Sequence, residues 1–310
     1  MNDRVRRVAP FACAVFWATQ TLAVRAYVVS GRHISAQGVL VTVAAAEAIK
    51  ASAAVVTTQW EPPPPRLRLL VCAFCSVSCN AMAYAVLERT TVMVYIALMG
   101  WQLPMRLIFD LVVHGAGAYS HRRLLASAFG AAAFAAGATQ CTAWSAAAVV
   151  FQTYLVCFAE ALDAEGEGDT HGAEHHHALA TVVTAWTAAM VATGAIIADA
   201  PAAVLSLTQP SPPYSIATVV LMAAVGMART CAAGGPAWPA TCAAVEAVIV
   251  AVGAFAVLGE VITPFEGAGA AAAVFGVKIW ERDVGVVVRS KVDEVEEGVS
   301  GDNTSMPLES

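Results

Sequence analysis

Ten mostly apolar stretches, each between 16 and 23 residues long, follow one another along this chain. They cover residues 10–28, 38–57, 69–87, 91–113, 124–139, 142–161, 178–198, 214–231, 240–258 and 263–280. About 20 apolar residues in helical form cross the hydrocarbon core of a bilayer. The gaps between them are short and carry turn-forming residues, as in Glu61-Pro-Pro-Pro-Pro65 and Pro210-Ser-Pro-Pro213. Only 13% of the 310 residues are charged, against roughly 25% in a soluble domain. Eleven of those charges fall in the last thirty positions, so no charged shell is left to surround a soluble core. The expectation is an all-α polytopic membrane protein.

The arginines and lysines set an expected orientation. With the N-terminus in the cytosol, the cytosolic segments hold Arg4, Arg6, Arg7, Arg66, Arg68, Arg122, Arg123, Arg229, Lys278, Arg282, Arg289 and Lys291. The opposite side holds Arg32 and Arg89, so the positive-inside bias places both termini in the cytosol. A signal peptide would also begin with an arginine cluster and an apolar run. Here the run carries Gln20 and Arg25 and lacks a small-residue cleavage site, which makes it a first span. Residues 1–9 form a cytosolic N-terminus and 10–280 a transmembrane domain with halves at about 10–139 and 142–280, joined at Gln140–Cys141. The segment 281–310, with Asp293-Glu-Val-Glu-Glu297, reads as a disordered acidic tail.

Polar groups inside the spans are the candidates for function, because each intramembrane charge costs roughly 2.5–3.5 kcal/mol on insertion scales. Glu47 and Lys50 lie three apart on one helical face and can neutralise each other. Arg106 and Asp110 have the spacing to pair likewise, while Arg25 and Glu160 lie near span ends, where snorkelling accounts for them. Glu246 sits well inside the ninth span without a partner on its own helix, a candidate second-half polar site. Asn80 and Tyr84 share a face, and Tyr95 adds a hydroxyl; hydrogen bonding between helices is their plain structural role.

The eight cysteines all lie in or beside apolar runs, where a free thiol behaves as a small hydrophobe. Cys72, Cys75 and Cys79 follow helical spacing and lack a second cluster, so no metal site is expected. The absence of a basic stripe excludes nucleic acid as a partner. His171-Gly-Ala-Glu-His175-His176 has the spacing of one histidine box of a membrane di-iron enzyme. The remaining histidines cannot supply the other boxes, and the surrounding acidic residues read as a solvated linker. No enzyme and no cofactor is expected.

Taken in order, the first four spans resemble the nucleotide-sugar transporter family of the drug/metabolite transporter superfamily, whose members carry UDP-galactose, UDP-N-acetylglucosamine or CMP-sialic acid. Arg25-Ala-Tyr27 is similar to an Arg-Tyr at the end of the family's first helix, and Glu47-Ala-Ile-Lys50 to its Glu-x-x-Lys. Asn80-Ala-Met-Ala-Tyr84 resembles an Asn-Asn-Leu-x-Tyr stretch, and Tyr95 falls where the family has a nucleotide-contacting Tyr. Pro104 matches the sialic-acid branch, and Leu258-Gly259-Glu260 with Ile262-Thr263 is similar to the close of the ninth helix. Three features depart from the pattern. Gln102 and Pro239 stand where the family has lysines, and His175-His-His177 stands in place of an Arg-Asn-x-Gln stretch.

The resemblance implies ten transmembrane helices in two inverted five-helix halves. It further implies exchange of a cytosolic nucleotide sugar, first of all a UDP-sugar, for a lumenal nucleoside monophosphate. The implied substrate-binding residues are Arg25, Glu47, Lys50, Asn80, Tyr84, Tyr95 and Gln102, with Arg106 one turn beyond Gln102 as a replacement cation. The implied address is the Golgi membrane, with the endoplasmic reticulum second, and a homodimer stays open. Two other functions compete: export of a non-nucleotide metabolite or drug on the same fold, and a non-transporting partner of another transporter.

Overall fold

With no water inside a bilayer, backbone N–H and C=O groups must pair within their own segment, so apolar runs of this length become helices. In the computed structural model, described over residues 3–29, 36–57, 67–115, 119–164, 173–198, 220, 224 and 240–301, long helices succeed one another and no strand occurs among the described residues. They are α1 (Asp3–Val29), α2 (Ala36–Thr57), α3 (Leu67–Arg89), α4 (Val92–Met99), α5 (Gln102–His114), α6 (His121–Ala138) and α7 (Ala143–Ala164). After these come α8 (Ala173–Ala198), α9 (Ala240–Leu258) and α10 (Pro264–Gly301). Helix thus lies over nine of the ten expected stretches; the remaining one, 214–231, is described only at Val220 and Ala224, and Pro239 falls outside the described residues.

Five helical segments among the described residues are long and apolar enough to cross a membrane: Gln37–Val56, Leu67–Arg89, Val92–Val113, Ala143–Leu162 and Leu179–Ala198. Val245–Leu258 is apolar but shorter. These helices mark a membrane protein, although fewer meet the length and hydropathy needed than the ten expected. Part of the shortfall has visible causes in the sequence. Helix α6 is 18 residues long and carries Arg122 and Arg123 in its first turn. Glycines and charges interrupt α10.

Four boundaries differ from the sequence reading. The fourth stretch is two helices, broken at Gly100–Trp101. Pro104 has no N–H to give the Gly100 carbonyl, which accepts instead from Leu103 at 3.1 Å, and the local turn tightens. The α1 helix begins at Asp3, seven residues before the apolar run. Helix α8 begins at Ala173, so the His175–His177 run lies in helix rather than in a linker; no Gly or Pro from Ala173 onward stops it. Finally, α10 continues through residue 281, where disorder is expected, to Gly301. At about 1.5 Å per residue its 38 residues span roughly 57 Å, well beyond the hydrocarbon core of about 30 Å.

The bundle is organised around α4, in which six of eight residues are buried: Val92, Met93, Val94, Tyr95, Ala97 and Leu98. A helix apolar on all sides is a central one. The principal core joins it to Ala18 and Val24 of α1, Val43 and Ala46 of α2, Val149 of α7, Val250 of α9 and Ala270 of α10. Helix α2 packs along α8, α6 along α10, α1 along α9, and α3 against both α7 and α8; α5 bridges α6 and α7.

The α6–α10 and α4–α6 contacts use backbone as surface. A Cβ placed on Gly130 would collide with the carbonyl oxygen of Gly100, and one on Gly276 would stand 3.0 Å from the Ala126 carbonyl oxygen. Small residues permit this approach, and in lipid it is packing rather than water exclusion that holds helices together.

Most hydroxyls in the helices are satisfied by their own turn. Thr21 donates to Trp17, Thr42 to Gly38 and Thr187 to Val183, each to the carbonyl four residues back. They carry no information about a ligand.

Candidate functional site

The polar residues that remain fall into an interior group and two terminal networks. In the interior, Tyr95 is 3% exposed on α4 and Gln152 is 4% exposed on α7. The Gln152 Nε2 donates to the Tyr95 hydroxyl at 3.0 Å, which leaves the buried Gln152 Oε1 with no hydrogen-bond partner. The Cys79 thiol of α3 lies 3.5 Å from the Gln152 carbonyl, and both Cys79 and Glu246 of α9 are within electrostatic range of the Tyr95 hydroxyl. On α3, Asn80 is half-buried and makes no hydrogen bond among the described residues. Four helices therefore bring amide, phenol, thiol and carboxyl groups to the middle of an apolar bundle. Leaving a buried acceptor unsatisfied costs about 1–3 kcal/mol, so the Gln152 oxygen calls for a donor from water or ligand.

Gln152 was not among the sequence-derived candidates. Its signal was present, as an amide midway along a mostly apolar run. Tyr84, expected beside Asn80, is buried and hydrogen-bonded with Gln20 of α1, so its hydroxyl is used within the fold.

Glu47 and Lys50 form an ion pair on α2. The carboxylate is 1% exposed and the ammonium 19%, so the pair points a shielded anion inward and a cation toward its edge.

The first terminal network gathers the ends of five helices. Arg25 of α1 donates through Nε to Glu260 Oε1 at 2.6 Å and through Nη1 to the Leu87 carbonyl at 3.2 Å. Glu260 follows α9 at the positive-φ Gly259, and its Oε2 accepts from the Val92 N–H at 3.4 Å, at the start of α4. Beside it, Thr91 caps α4 and donates to Glu266 Oε1 at 2.7 Å. Glu266 closes a capping box on α10: its Oε2 accepts from the Thr263 N–H at 2.7 Å while its own N–H donates to Thr263 Oγ1 at 3.2 Å. The spacing Thr263-x-x-Glu266 was a readable signal that the sequence reading passed over. Arg89, at the end of α3, stacks over Trp144 of α7, its guanidinium 4.3 Å from the ring centre.

The second network holds α5, α6, α7 and α10. Arg106 grips Glu160 with two hydrogen bonds, 3.0 Å from Nε and 2.6 Å from Nη2. Asp110 pairs instead with Arg123 at 2.9 Å, and Arg123 also reaches Asp283 at 3.0 Å, which Ser120 joins. The sequence spacing Arg106–Asp110 thus yields to partners across the bundle. Glu160 serves as the partner of Arg106 rather than reaching out alone. Gln102 sits at the first position of α5, where its carbonyl lies 4.0 Å from the Cys157 thiol.

The candidate residues are thus not one cluster. Tyr95 belongs with Gln152, Cys79 and Glu246 in the interior, Arg25 belongs to one terminal network and Arg106 to the other. Arg25, Lys50 and Arg106, the cations expected to meet a diphosphate, are each held by a carboxylate.

No family model matches the chain, and no curated protein matches it. A solved structure described as "Crystal structure of protein" is similar in fold, with a TM-score of 0.51 over 90% of this chain and 97% of that one at 14% sequence identity. At that identity the likeness concerns the fold alone.

Proposed function

We propose that the chain is a ten-span transporter of the nucleotide-sugar type, which exchanges a cytosolic nucleotide sugar for a lumenal nucleoside monophosphate by alternating access. The observation that carries this reading is the unsatisfied Gln152 amide beside Tyr95, deep within helices that cross a membrane. A nucleobase offers adjacent donors and acceptors that such a face can bind without any charge. A channel lining or a lipid-facing surface has no need of a fully enclosed amide.

The packing supports two related halves. Exchanging α1 with α7, α2 with α8, α4 and α5 together with α9, and α6 with α10 carries the pairs α2–α8 and α6–α10 onto themselves. It carries α1–α9 onto α7–α5 and α9–α10 onto the contact of α4 and α5 with α6. Halves of five spans each lie in opposite orientations, the inverted repeat found in many transporters. The counterpart of α3 would fall within 199–239, of which only Val220 and Ala224 are described. The proposed setting is a Golgi membrane with both termini cytosolic, on the arginine distribution and the resemblance.

In this reading Glu160 keeps Arg106 neutralised while the site is empty, and an incoming diphosphate takes its place. The competing reading, export of a non-nucleotide metabolite, is favoured by one observation. Arg106, the replacement for the lysine missing at Gln102, is tied to Glu160 and is 35% exposed.

The deciding experiment measures uptake by proteoliposomes preloaded with each nucleoside monophosphate, alongside thermal stabilisation of the purified protein by the same panel. A ligand at a hundredfold excess over its dissociation constant stabilises by roughly 2.7 kcal/mol. Stabilisation by one nucleotide and exchange against its sugar conjugate are expected. A folded protein indifferent to the whole panel would move the assignment to the metabolite exporter. Arg106→Ala should abolish exchange of a diphosphate-linked sugar, and unchanged uptake would remove Arg106 from the site.

A further inference from the structure

On the outer side of α9 and α10, with α4 behind them, lies a groove of about 440 Å³. Its wall is apolar and made largely of small side chains, among them Ala247, Ala251, Ala270 and Ala271, and it faces outward: Val248 is 61% exposed and Phe275 51%. Along α10 it runs from Gly267 to Lys278, about 17 Å at 1.5 Å per residue. The groove is thus bounded at one end by a cation. Arg282 follows Lys278 by one turn on the same helical face and is exposed. Neither Lys278 nor Arg282 has a hydrogen bond or ion pair among the described residues. Of the two carboxylates beside them on α10, Glu281 is half-buried and has a partner of its own, and Asp283 is buried and held by Arg123 and Ser120.

We infer that this groove is a site for an anionic phospholipid, one acyl chain lying between α9 and α10 and the phosphate resting on Lys278 and Arg282. The shape suits a chain and not a polar solute, because nothing along the wall before Lys278 can hydrogen-bond through a side chain. The charge suits an anionic headgroup. A polar helix or loop of another protein would leave the two cations without partners. Basic residues at such a level attract acidic lipids, each contributing about a threefold to fivefold preference near the surface. The site stands apart from the Tyr95–Gln152 group and does not depend on what the protein carries.

The test uses full-length protein purified in neutral detergent. Retention of phosphatidylserine, phosphatidylinositol and phosphatidylcholine is read by native mass spectrometry, and melting temperature by fluorescence. The wild type should retain one acidic lipid about tenfold better than phosphatidylcholine and melt higher with it. The double variant K278Q/R282Q should lose the preference while keeping the lipid-free melting temperature. Ala271→Phe, which fills the groove, should reduce retention of all three lipids. Equal retention of acidic and zwitterionic lipid by the wild type would overturn the site, as would a preference that survives K278Q/R282Q. The same stabilisation by inorganic phosphate alone would also count against it, since the chain would then contribute nothing.

Discussion

At the scale of single residues, the pair Tyr95–Gln152 and the pair Glu47–Lys50 differ in what their loss should do. Tyr95→Phe strips the Gln152 amide of its remaining partner and should destabilise the protein by about 1–3 kcal/mol. Changing both residues together, to Phe and Leu, removes donor and acceptor alike and should be nearly neutral for folding. Thermal unfolding of the three variants forms a double-mutant cycle; equal losses in the single and double variants would mean that the amide is already satisfied. Ligand binding should fail in all of them. For the ion pair, Lys50→Met leaves a carboxylate that is 1% exposed without compensation, a loss of roughly 3–5 kcal/mol. Glu47→Gln leaves an ammonium that is 19% exposed and can turn outward, so the milder loss is expected there. Lys50→Met melting no lower than Glu47→Gln would contradict that burial.

At the scale of helices, the close α4–α6 contact makes a sharp contrast testable. Gly130→Ala sets a methyl group against the Gly100 carbonyl oxygen, which belongs to backbone and cannot rotate away. Gly253→Ala meets only the side chain of Leu22, which can change rotamer. The first variant should fail to yield folded protein and the second should lose less than about 2 kcal/mol, within the range for overpacked sites. Comparable expression and melting of both would mean that α4 and α6 are further apart. The elements themselves were readable in the sequence, since apolar length alone locates helix over most of the chain. What was not readable is where the chain chooses among equal local options. Arg106 could pair with Asp110 one turn away, yet it takes Glu160 from another helix, and no local spacing reveals that. The break at Gly100–Trp101 had a local sign in Pro104, but a single proline is tolerated in many membrane helices. Gln152 was visible as a residue and invisible as a site, because its meaning depends on Tyr95 standing opposite.

For the whole molecule, the two terminal networks bracket the interior group. Arg25, Glu260, Thr91, Thr263 and Glu266 tie α1, α3, α4, α9 and α10 at one end, while Arg123 and Arg106 tie α5, α6, α7 and α10 at the other. The proposed alternating access requires the two ends to part in turn. Glu260→Gln should therefore weaken one end without touching the interior. A cysteine placed at Thr91 should then react faster with a membrane-impermeant maleimide from the outer side, in a background whose native cysteines are replaced. An unchanged labelling rate would mean that the network holds the fold and not a gate. The order of the described helices was legible from the chain. The pairing of Arg25 with Glu260, 235 positions apart, arises only when the last helices return to the first.

The contact of Gly130 with the Gly100 carbonyl has a consequence for how a lineage of such chains can drift. Where two side chains touch, a larger one on one helix can be answered by a smaller one on the other, and the pair wanders through sequence while the shape endures. Where a backbone oxygen fills the space, no reciprocal change exists, because the carbonyl is the same in every residue. Such a position has no neighbouring sequence to step to. Among divergent descendants of this chain, Gly130 should persist after the exposed faces of α8 and α9 have been rewritten, and that persistence would be a record of geometry rather than of chemistry.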